Sequence, residues 1–176
     1  MPIMRMDERS RKPLRLPKYD YSQNGAYFVT ICTDRRKHLL GTVRCPHQHI
    51  ASVGVDAHID PDDISVALSY AGRIVEKYIR SIPGIDAYVI MPNHVHMVVC
   101  ISNADGPMRA SAPTQPLSSR IRSFKTLVTK EIGQAIWQRS YYDHVIRDEA
   151  DYLRVRHYID TNPAAWAEDE YYTPQA

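Results

Sequence analysis

The stretch DAYVIMPNHVHMVVCI, residues 86–101, contains two runs of strand-forming residues on either side of Pro92 and Asn93. Valine, isoleucine and tyrosine favour extended structure, and a Pro-Asn pair is typical of turns. The pattern therefore predicts an antiparallel hairpin, with one strand over residues 86–91 and the other over residues 94–101.

The segments before this hairpin predict a strand and a helix. Residues 26–33, AYFVTICT, are β-branched and aromatic and predict a buried strand. A helix is predicted to begin at an N-cap provided by Asp62 or Asp63 and to stop at Pro83 and Gly84. Its apolar residues recur at helical spacing from Ala67 onwards. Residues 34–61 carry mixed signals and receive no assignment.

The segments after the hairpin predict a helix, a strand and a further helix. Ser118 or Ser119 is expected to cap the second helix, and Gly133 to end it. Residues 137–147 predict a strand, and a third helix is expected from Asp148 to about Asn162, just before a proline. The three prolines and small polar residues between 103 and 116 indicate a loop.

The order strand, helix, strand, strand, helix, strand, helix is typical of a ferredoxin-like α+β fold built on an antiparallel sheet by a split βαβ pattern, here with an additional C-terminal helix. We expect one domain over residues 26–170, preceded by a basic N-terminal arm over residues 1–25 and followed by a tail over residues 171–176. A length of 176 residues suits a single domain.

Composition predicts the cellular location and bears on the kind of binding partner. The three cysteines cannot form a disulfide framework, and no run of about 20 apolar residues or signal peptide is evident, so we expect a cytoplasmic protein. The net charge of +2 conceals a net charge of +4 over residues 1–60 and +5 over residues 109–147, offset by −5 over residues 148–176. A polyanionic partner or an ordinary solvated surface explains these basic stretches equally well.

His94 and His96 stand two positions apart on a predicted strand, so both imidazoles lie on the same face. Two histidines on one face suit a divalent cation, and structural histidines are an equally good interpretation of the spacing alone. A second group, Cys45, His47 and His49, has no fourth ligand at zinc-site spacing, and exposed loop histidines are the better interpretation there.

Tyr158 and Asn162 lie four residues apart on the third helix, separated by about 40° on its circumference. Tyr152, Val155 and Ile159 form the apolar face of that helix. Tyr158 and Asn162 are therefore expected on its flank, beside the core but not buried in it. An ordinary half-buried tyrosine is the alternative, since the chain has 12 tyrosines.

An ordered set of motifs resembles the single-tyrosine HUH transposases, in the branch of the REP-associated tyrosine transposases and their insertion-sequence-200-like relatives. The set extends from about Arg15 to Glu170 and consists of RLPKYDYSQNGAYFVTICT, DAYVIMPNHVH, SFKTLVTKEI, WQRSYYDHVIRDE and YIDTNPAAWAEDE. Residues 45–63 do not fit the family pattern, and the chain has little sequence after NPAAWAEDE.

The resemblance implies a bacterial DNA transposase and assigns roles to individual residues. His94 and His96 match the HUH metal ligands, Tyr158 matches the nucleophile, and Asn162 falls where relatives complete the metal site. Mg²⁺ or Mn²⁺ is the implied cofactor. Such an enzyme cuts single-stranded DNA, often beside a hairpin, through a 5′-phosphotyrosine and rejoins the ends, as a monomer or as a homodimer with tyrosines in trans.

The DNA contacts expected from the basic stretches are Arg15, Lys18, Arg120, Arg122, Lys125, Arg139 and Arg147, with Tyr141 and Tyr142 as possible stacking residues. For each cation alone a solvated surface charge is the stronger interpretation. Two other functions remain open: a nucleic-acid-binding protein of the same fold that does not cleave, and a zinc-dependent hydrolase that uses a water nucleophile.

Overall fold

Four antiparallel strands form the main sheet of this computed structural model, which describes residues 23–44, 64–102 and 115–174. In chain order the elements are β1 (Gly25–Cys32), β2 (Gly41–Arg44), β3 (Ser65–Leu68), α1 (Tyr70–Ile79), β4 (Ile85–Ile90), β5 (His94–Ile101), α2 (Leu117–Ile132), β6 (Tyr142–Ile146) and α3 (Glu149–Thr161). The main sheet has the order β4-β5-β1-β6. This is the predicted ferredoxin-like α+β fold, with α3 as the additional helix.

The two faces of the sheet are covered differently. Along β5, Val95, Met97 and Val99 belong to the main core, which also contains the apolar residues of α1 and α2. The alternate residue Val98 packs instead with Ile159 of α3 in a smaller cluster. Because side chains alternate along a strand, His94 and His96 lie on the α3 side of β5. The site residues on β5 and α3 therefore meet on one face.

The first helix begins later than its sequence predicts. Residues 65–68 form β3, which pairs with β2 over Gly41–Arg44, and Ala67 therefore lies on a strand. Helix α1 begins at Tyr70, where the Ser69 side chain accepts a hydrogen bond from the backbone N–H of Gly72. The predicted cap at Asp62 or Asp63 is wrong for this helix, although both aspartates lie outside the described residues. The predicted stop at Pro83 and Gly84 falls in the turn that leads into β4.

The downstream elements agree with their predicted types and differ at their ends. Helix α2 begins at Leu117 after Pro116 without a side-chain cap, so the predicted caps at Ser118 and Ser119 are wrong. Gly133 ends α2 in the left-handed conformation, as predicted. The strand predicted over residues 137–147 is shortened to β6, and Asp148 caps α3 through a hydrogen bond to the N–H of Asp151. Within the described residues, no helix is long and apolar enough to cross a membrane.

Candidate metal centre and nucleophile

The two histidines of β5 form a buried pair. His94 is fully buried, His96 is 1% exposed, and their ring centroids are 4.4 Å apart. The turn before β5 places Asn93, which is also buried, beside them. The strand and its turn therefore hold both imidazoles in a fixed position.

Hydrogen bonds define which nitrogen of His94 is available. Its Nδ1 lies 2.8 Å from the side-chain oxygen of Asn93, and the Asn93 amide nitrogen donates to the carbonyl of Tyr171. The Asn93 oxygen is therefore the acceptor, which assigns the proton to Nδ1 of His94. Its Nε2 is then a lone-pair donor, and it is buried without a hydrogen-bond partner among the described residues.

His96 is held in a similar way. Its Nδ1 lies 2.8 Å from the hydroxyl of Thr30 on the neighbouring strand, and its Nε2 lies 3.2 Å from the hydroxyl of Tyr158. Fixing one ring nitrogen by a hydrogen bond is typical of metal-binding histidines, and the other nitrogen of His96 faces the Tyr158 hydroxyl.

Burial keeps both imidazoles neutral. It lowers the pKa of His94 to about 4; the negative charge of Asp169 opposes this shift and the positive charge of Arg36 adds to it. Burial, followed by the charge of His94, lowers the pKa of His96 well below its ordinary value. Both side chains are therefore uncharged near pH 7, the form in which histidine binds a metal.

Tyr158 reaches this pair from α3. Its side chain is 38% exposed, and its hydroxyl donates to Oδ2 of Asp169 over 3.1 Å. Burial raises the pKa of Tyr158, and the charge of Asp169 and its hydrogen bond raise it further. The residue is therefore a neutral phenol at pH 7 that must lose its proton before it can act as a nucleophile.

Asn162 lies deeper than its sequence predicts. It caps the C-terminal end of α3 and is 1% exposed, so the expectation of a flank position outside the core is wrong for this residue. Its amide nitrogen donates to Oδ2 of Asp169 over 2.8 Å, and its buried oxygen has no partner among the described residues. Its role as a metal ligand stays a prediction.

Asp169 is the site residue that the sequence analysis missed. It follows the short 3-10 helix Trp166–Glu168 that comes after α3, and its Oδ1 accepts from the backbone N–H of Tyr171. Ligand atoms of His94, His96 and Asp169 all lie within 4.8 Å of one another, so this group could hold a metal ion. The only signal in the sequence is the acidic run at residues 168–170, which has no periodicity to place it.

The donor set fits a divalent cation. Two neutral imidazole nitrogens and a carboxylate oxygen suit Mn²⁺ or Zn²⁺, and the oxygen donors also suit Mg²⁺. Nε2 of His94 and the side-chain oxygen of Asn162 are buried acceptors that lack a donor among the residues described. Buried polar atoms are normally paired, and a bound cation would satisfy both kinds of acceptor.

Two of the predicted DNA contacts, Arg120 and Lys125, donate hydrogen bonds to backbone carbonyls. Arg120 is 5% exposed, and its guanidinium donates to the backbone carbonyls of Pro83, Cys100 and Gln115. These bonds give Arg120 a structural role, and its role in DNA binding stays a prediction. Lys125 donates to the carbonyls of residues 138–140, and burial lowers its pKa.

The remaining positions are exposed or lie outside the described residues. Arg122, Arg139 and Arg147 are exposed, and their role in DNA binding stays a prediction. Tyr142 is 43% exposed and pairs with Thr30 across β6 and β1, on the site face. Arg15 and Lys18 lie outside the described residues, as do Cys45, His47 and His49.

Known proteins resemble this chain in sequence and in fold. No protein-family model matches it. The chain is 32% identical over 180 residues to an uncharacterised protein of Haemophilus influenzae, covering 92% of this chain and 93% of that protein. It is 32% identical over 80 residues to the REP-associated tyrosine transposase of Escherichia coli, covering 45% of this chain and 43% of the transposase. A solved REP-associated tyrosine transposase bound to a REP hairpin aligns with a TM-score of 0.52 and 24% identity, over 85% of this chain and 72% of that one.

The fold and the site define a ferredoxin-like α+β domain in which a buried histidine pair faces a tyrosine on an added helix. The sequence match to a named transposase identifies the family to which this domain belongs. The solved structure of a protein of that name has a similar fold. The chain belongs to the family of the REP-associated tyrosine transposases.

Proposed function

We propose that this chain is a transposase that acts as a metal-dependent single-strand DNA endonuclease and strand transferase, with Tyr158 as its nucleophile. One observation carries the proposal: the Tyr158 hydroxyl lies 3.2 Å from Nε2 of His96 and 3.1 Å from the carboxylate of Asp169. A nucleophile, a metal-ligand nitrogen and a proton acceptor thus meet at one point. The names of the related transposases support a DNA substrate that contains a hairpin.

The chemistry follows from this arrangement. The phenol oxygen of Tyr158 bonds to phosphorus as the bond from phosphorus to the 3′-oxygen breaks. The phenol proton passes to the acceptor of its hydrogen bond, Oδ2 of Asp169, and the departing 3′-oxygen takes up a proton to become a hydroxyl. The products are a 5′-phosphotyrosine and a free 3′-hydroxyl. Attack by another 3′-hydroxyl on the phosphotyrosine reverses the step and joins strands without an external energy source.

His94 and His96 would hold the cation, with Asp169 and the oxygen of Asn162 as the oxygen donors available beside them. A bound Mg²⁺ or Mn²⁺ supplies positive charge that stabilises the additional negative charge of the reacting phosphate. The chain contributes neutral imidazoles, held by Asn93 and Thr30, so that neither histidine carries a positive charge that would repel the cation.

We also propose that the tyrosine acts in cis. Tyr158 lies beside the histidines of its own chain, which is the arrangement expected of a site completed by one protomer. A dimer that exchanges tyrosines would instead separate Tyr158 from its own His94 and His96.

The test is a search for a covalent protein–DNA adduct. Single-stranded hairpin oligonucleotides labelled at the 5′ or the 3′ end are incubated with the protein and Mn²⁺ and then denatured. We expect an adduct on the 3′ fragment only, lost in Tyr158→Phe and in His94→Ala. Tyr152→Phe is the matched control, because Tyr152 lies on the same helix but bonds to Asp86, and it should keep the adduct. Cleavage that persists in Tyr158→Phe would exclude this nucleophile.

A zinc-dependent hydrolase is the second candidate, and Asp169 is the observation that favours it. Two histidines and a carboxylate are a ligand set found in zinc enzymes that activate a water molecule. That enzyme would cut without forming an adduct and would retain activity in Tyr158→Phe, so the same experiment separates the two functions.

A further inference from the structure

We propose that Arg35, Arg36 and Lys37, which we call the basic turn, bind the phosphodiester backbone of the single strand next to the phosphate that Tyr158 attacks. The inference rests on the proposed function, because it assigns a further contact of the same substrate. The three residues lie within the basic stretch over residues 1–60, but none of them is among the DNA contacts predicted from the sequence.

The basic turn lies at the metal-centre end of the sheet. It follows β1 directly, and Cys32, the last residue of β1, pairs in register with His94. The Arg36 guanidinium lies 5.1 Å from the centre of the Tyr171 ring, and that ring lies 4.8 Å from the ring of His94. A strand whose phosphate reaches the histidine pair would therefore pass close to these cations.

The backbone of the turn is strained and firmly held. Arg35 and Arg36 both have φ values of 53°, a left-handed conformation that is unfavourable for a residue other than glycine. Thr33 holds the turn, because its hydroxyl lies within hydrogen-bond distance of the carbonyls of Lys37 and Asn93, at 2.7 and 3.0 Å. The N–H of Asp34 donates to the carbonyl of Ile136. Such conformations persist only where the surroundings impose them, and they are concentrated at ligand-binding sites.

The cations of the turn form few ion pairs among the described residues. Within the described part of the chain, Arg36 and Lys37 form no ion pair, and Arg35 has only Asp34 at 3.9 Å, with both side chains exposed. Lys77 of α1 and Arg80, which caps that helix, differ, since each has a carboxylate at 2.7 Å. Arg36 donates one N–H to the carbonyl of Glu170 and stacks on Tyr171, which leaves the rest of its planar fork for an anion.

A competing role for Arg36 is to anchor the segment that carries Asp169, since it contacts Glu170 and Tyr171. Arg35 and Lys37 separate the two roles, because neither has a contact with that segment among the described residues. The double variant Arg35→Ala/Lys37→Ala therefore removes charge from the turn and leaves the Asp169 segment in place.

The experiment measures DNA binding against salt concentration. Both substitutions are introduced into Tyr158→Phe, and binding to a fluorescein-labelled oligothymidylate of about 16 nucleotides is followed by anisotropy between about 50 and 200 mM salt. For single strands, log K falls with log salt, and each lost phosphate contact makes this negative slope shallower by about 0.7. We therefore expect the slope to become shallower by about 1.4 when two contacts are lost. The control, Arg73→Ala/Lys130→Ala, removes the same charge from α1 and α2, which cover the other face of the sheet, and should leave the slope unchanged.

Each result decides the proposal. An unchanged slope in the turn variant, or an equal decrease in the control, would overturn it. Mn²⁺ binding by calorimetry should be the same in the turn variant and in its parent; a loss would show that the turn acts through the metal centre and would also overturn it. If the unmodified chain forms the covalent adduct while the turn variant keeps its slope, only the basic turn fails. A chain that neither binds the oligonucleotide nor forms the adduct overturns both proposals.

Discussion

Replacing Asp169 by alanine tests whether the segment after α3 is part of the metal centre. The carboxylate accepts three hydrogen bonds, from Tyr158, Asn162 and the backbone N–H of Tyr171, at 3.1, 2.8 and 2.6 Å. The Asn162 amide is 1% exposed, so its loss of a partner should cost about 1–3 kcal/mol. The Tyr158 hydroxyl can turn to water, and the bond to the Tyr171 N–H contributes about 1 kcal/mol. We expect the free energy of unfolding without metal to fall by about 2–4 kcal/mol.

The effect should be larger when metal is present. A cation at about 100 times its dissociation constant stabilises the folded chain by about 2.7 kcal/mol. Removing a partner that only orients a ligand costs about 10- to 100-fold in metal affinity, and the loss of a ligand should cost no less. We therefore expect Asp169→Ala to weaken Mn²⁺ binding at least about 10-fold. At the same Mn²⁺ concentration, a 10-fold loss of affinity reduces the metal-induced stabilisation to about 1.4 kcal/mol, so about half of it or more should disappear.

Urea denaturation followed by circular dichroism gives the unfolding free energies, and calorimetry gives the Mn²⁺ affinity. Glu168→Ala is the matched control, because it removes an exposed neighbouring carboxylate and should change both quantities little. A double-mutant cycle with Asn162→Ala should give a coupling energy between about 0.5 and 3 kcal/mol. If Asp169→Ala behaves like Glu168→Ala in both measurements, the role given to this carboxylate is wrong.

Two further predictions concern stability. Arg120→Met should lower the free energy of unfolding by about 2–4 kcal/mol, because it removes a buried guanidinium that is bonded to backbone carbonyls. The dependence of DNA affinity on salt concentration should stay unchanged. A weaker salt dependence in this variant would show that Arg120 contacts DNA. The metal-free protein should have its full stability above about pH 6.5 and lose stability towards pH 4. The reason is that the pKa values of His94 and His96 are lowered in the folded chain, so between these pH values the two imidazoles bind protons more readily in the unfolded chain. Urea denaturation at several pH values measures this, and His94→Gln should weaken the dependence; an identical pH dependence in that variant would contradict it.

The elements that could be predicted are those whose signals are local. The hairpin of β4 and β5 carries its own turn at Pro92 and Asn93, and α3 carries its own cap at Asp148. The start of α1 could not be read in the same way. Residues 65–68 pair with residues 41–44, a non-local contact, and the alanine and leucine there suit a helix equally well. Pairing with a distant strand overrides the local preference.

The packing of α2 gives two neighbouring cations different surroundings. Arg120 and Arg122 stand two positions apart near the start of the helix, so they point in different directions. Arg120 faces the turn between α1 and β4 and donates to the carbonyl of Pro83 there, while Arg122 is exposed. A charge count along the sequence gives both the same weight. Only the packing of α2 against that turn distinguishes them.

The same reasoning shows why the third donor of the metal centre was missed. His94 and His96 are fixed by the two-residue period of a strand, and Tyr158 and Asn162 by the period of a helix, so each pair is visible in the sequence. Asp169 lies beyond Pro163 in irregular backbone, where spacing predicts no direction. Its position depends on contacts formed only after folding: Asn93 binds the carbonyl of Tyr171, and Asn162 binds the carboxylate itself. Periodic elements thus supply the histidines and the proposed nucleophile, whereas the carboxylate is positioned by the packing of the segment that follows them.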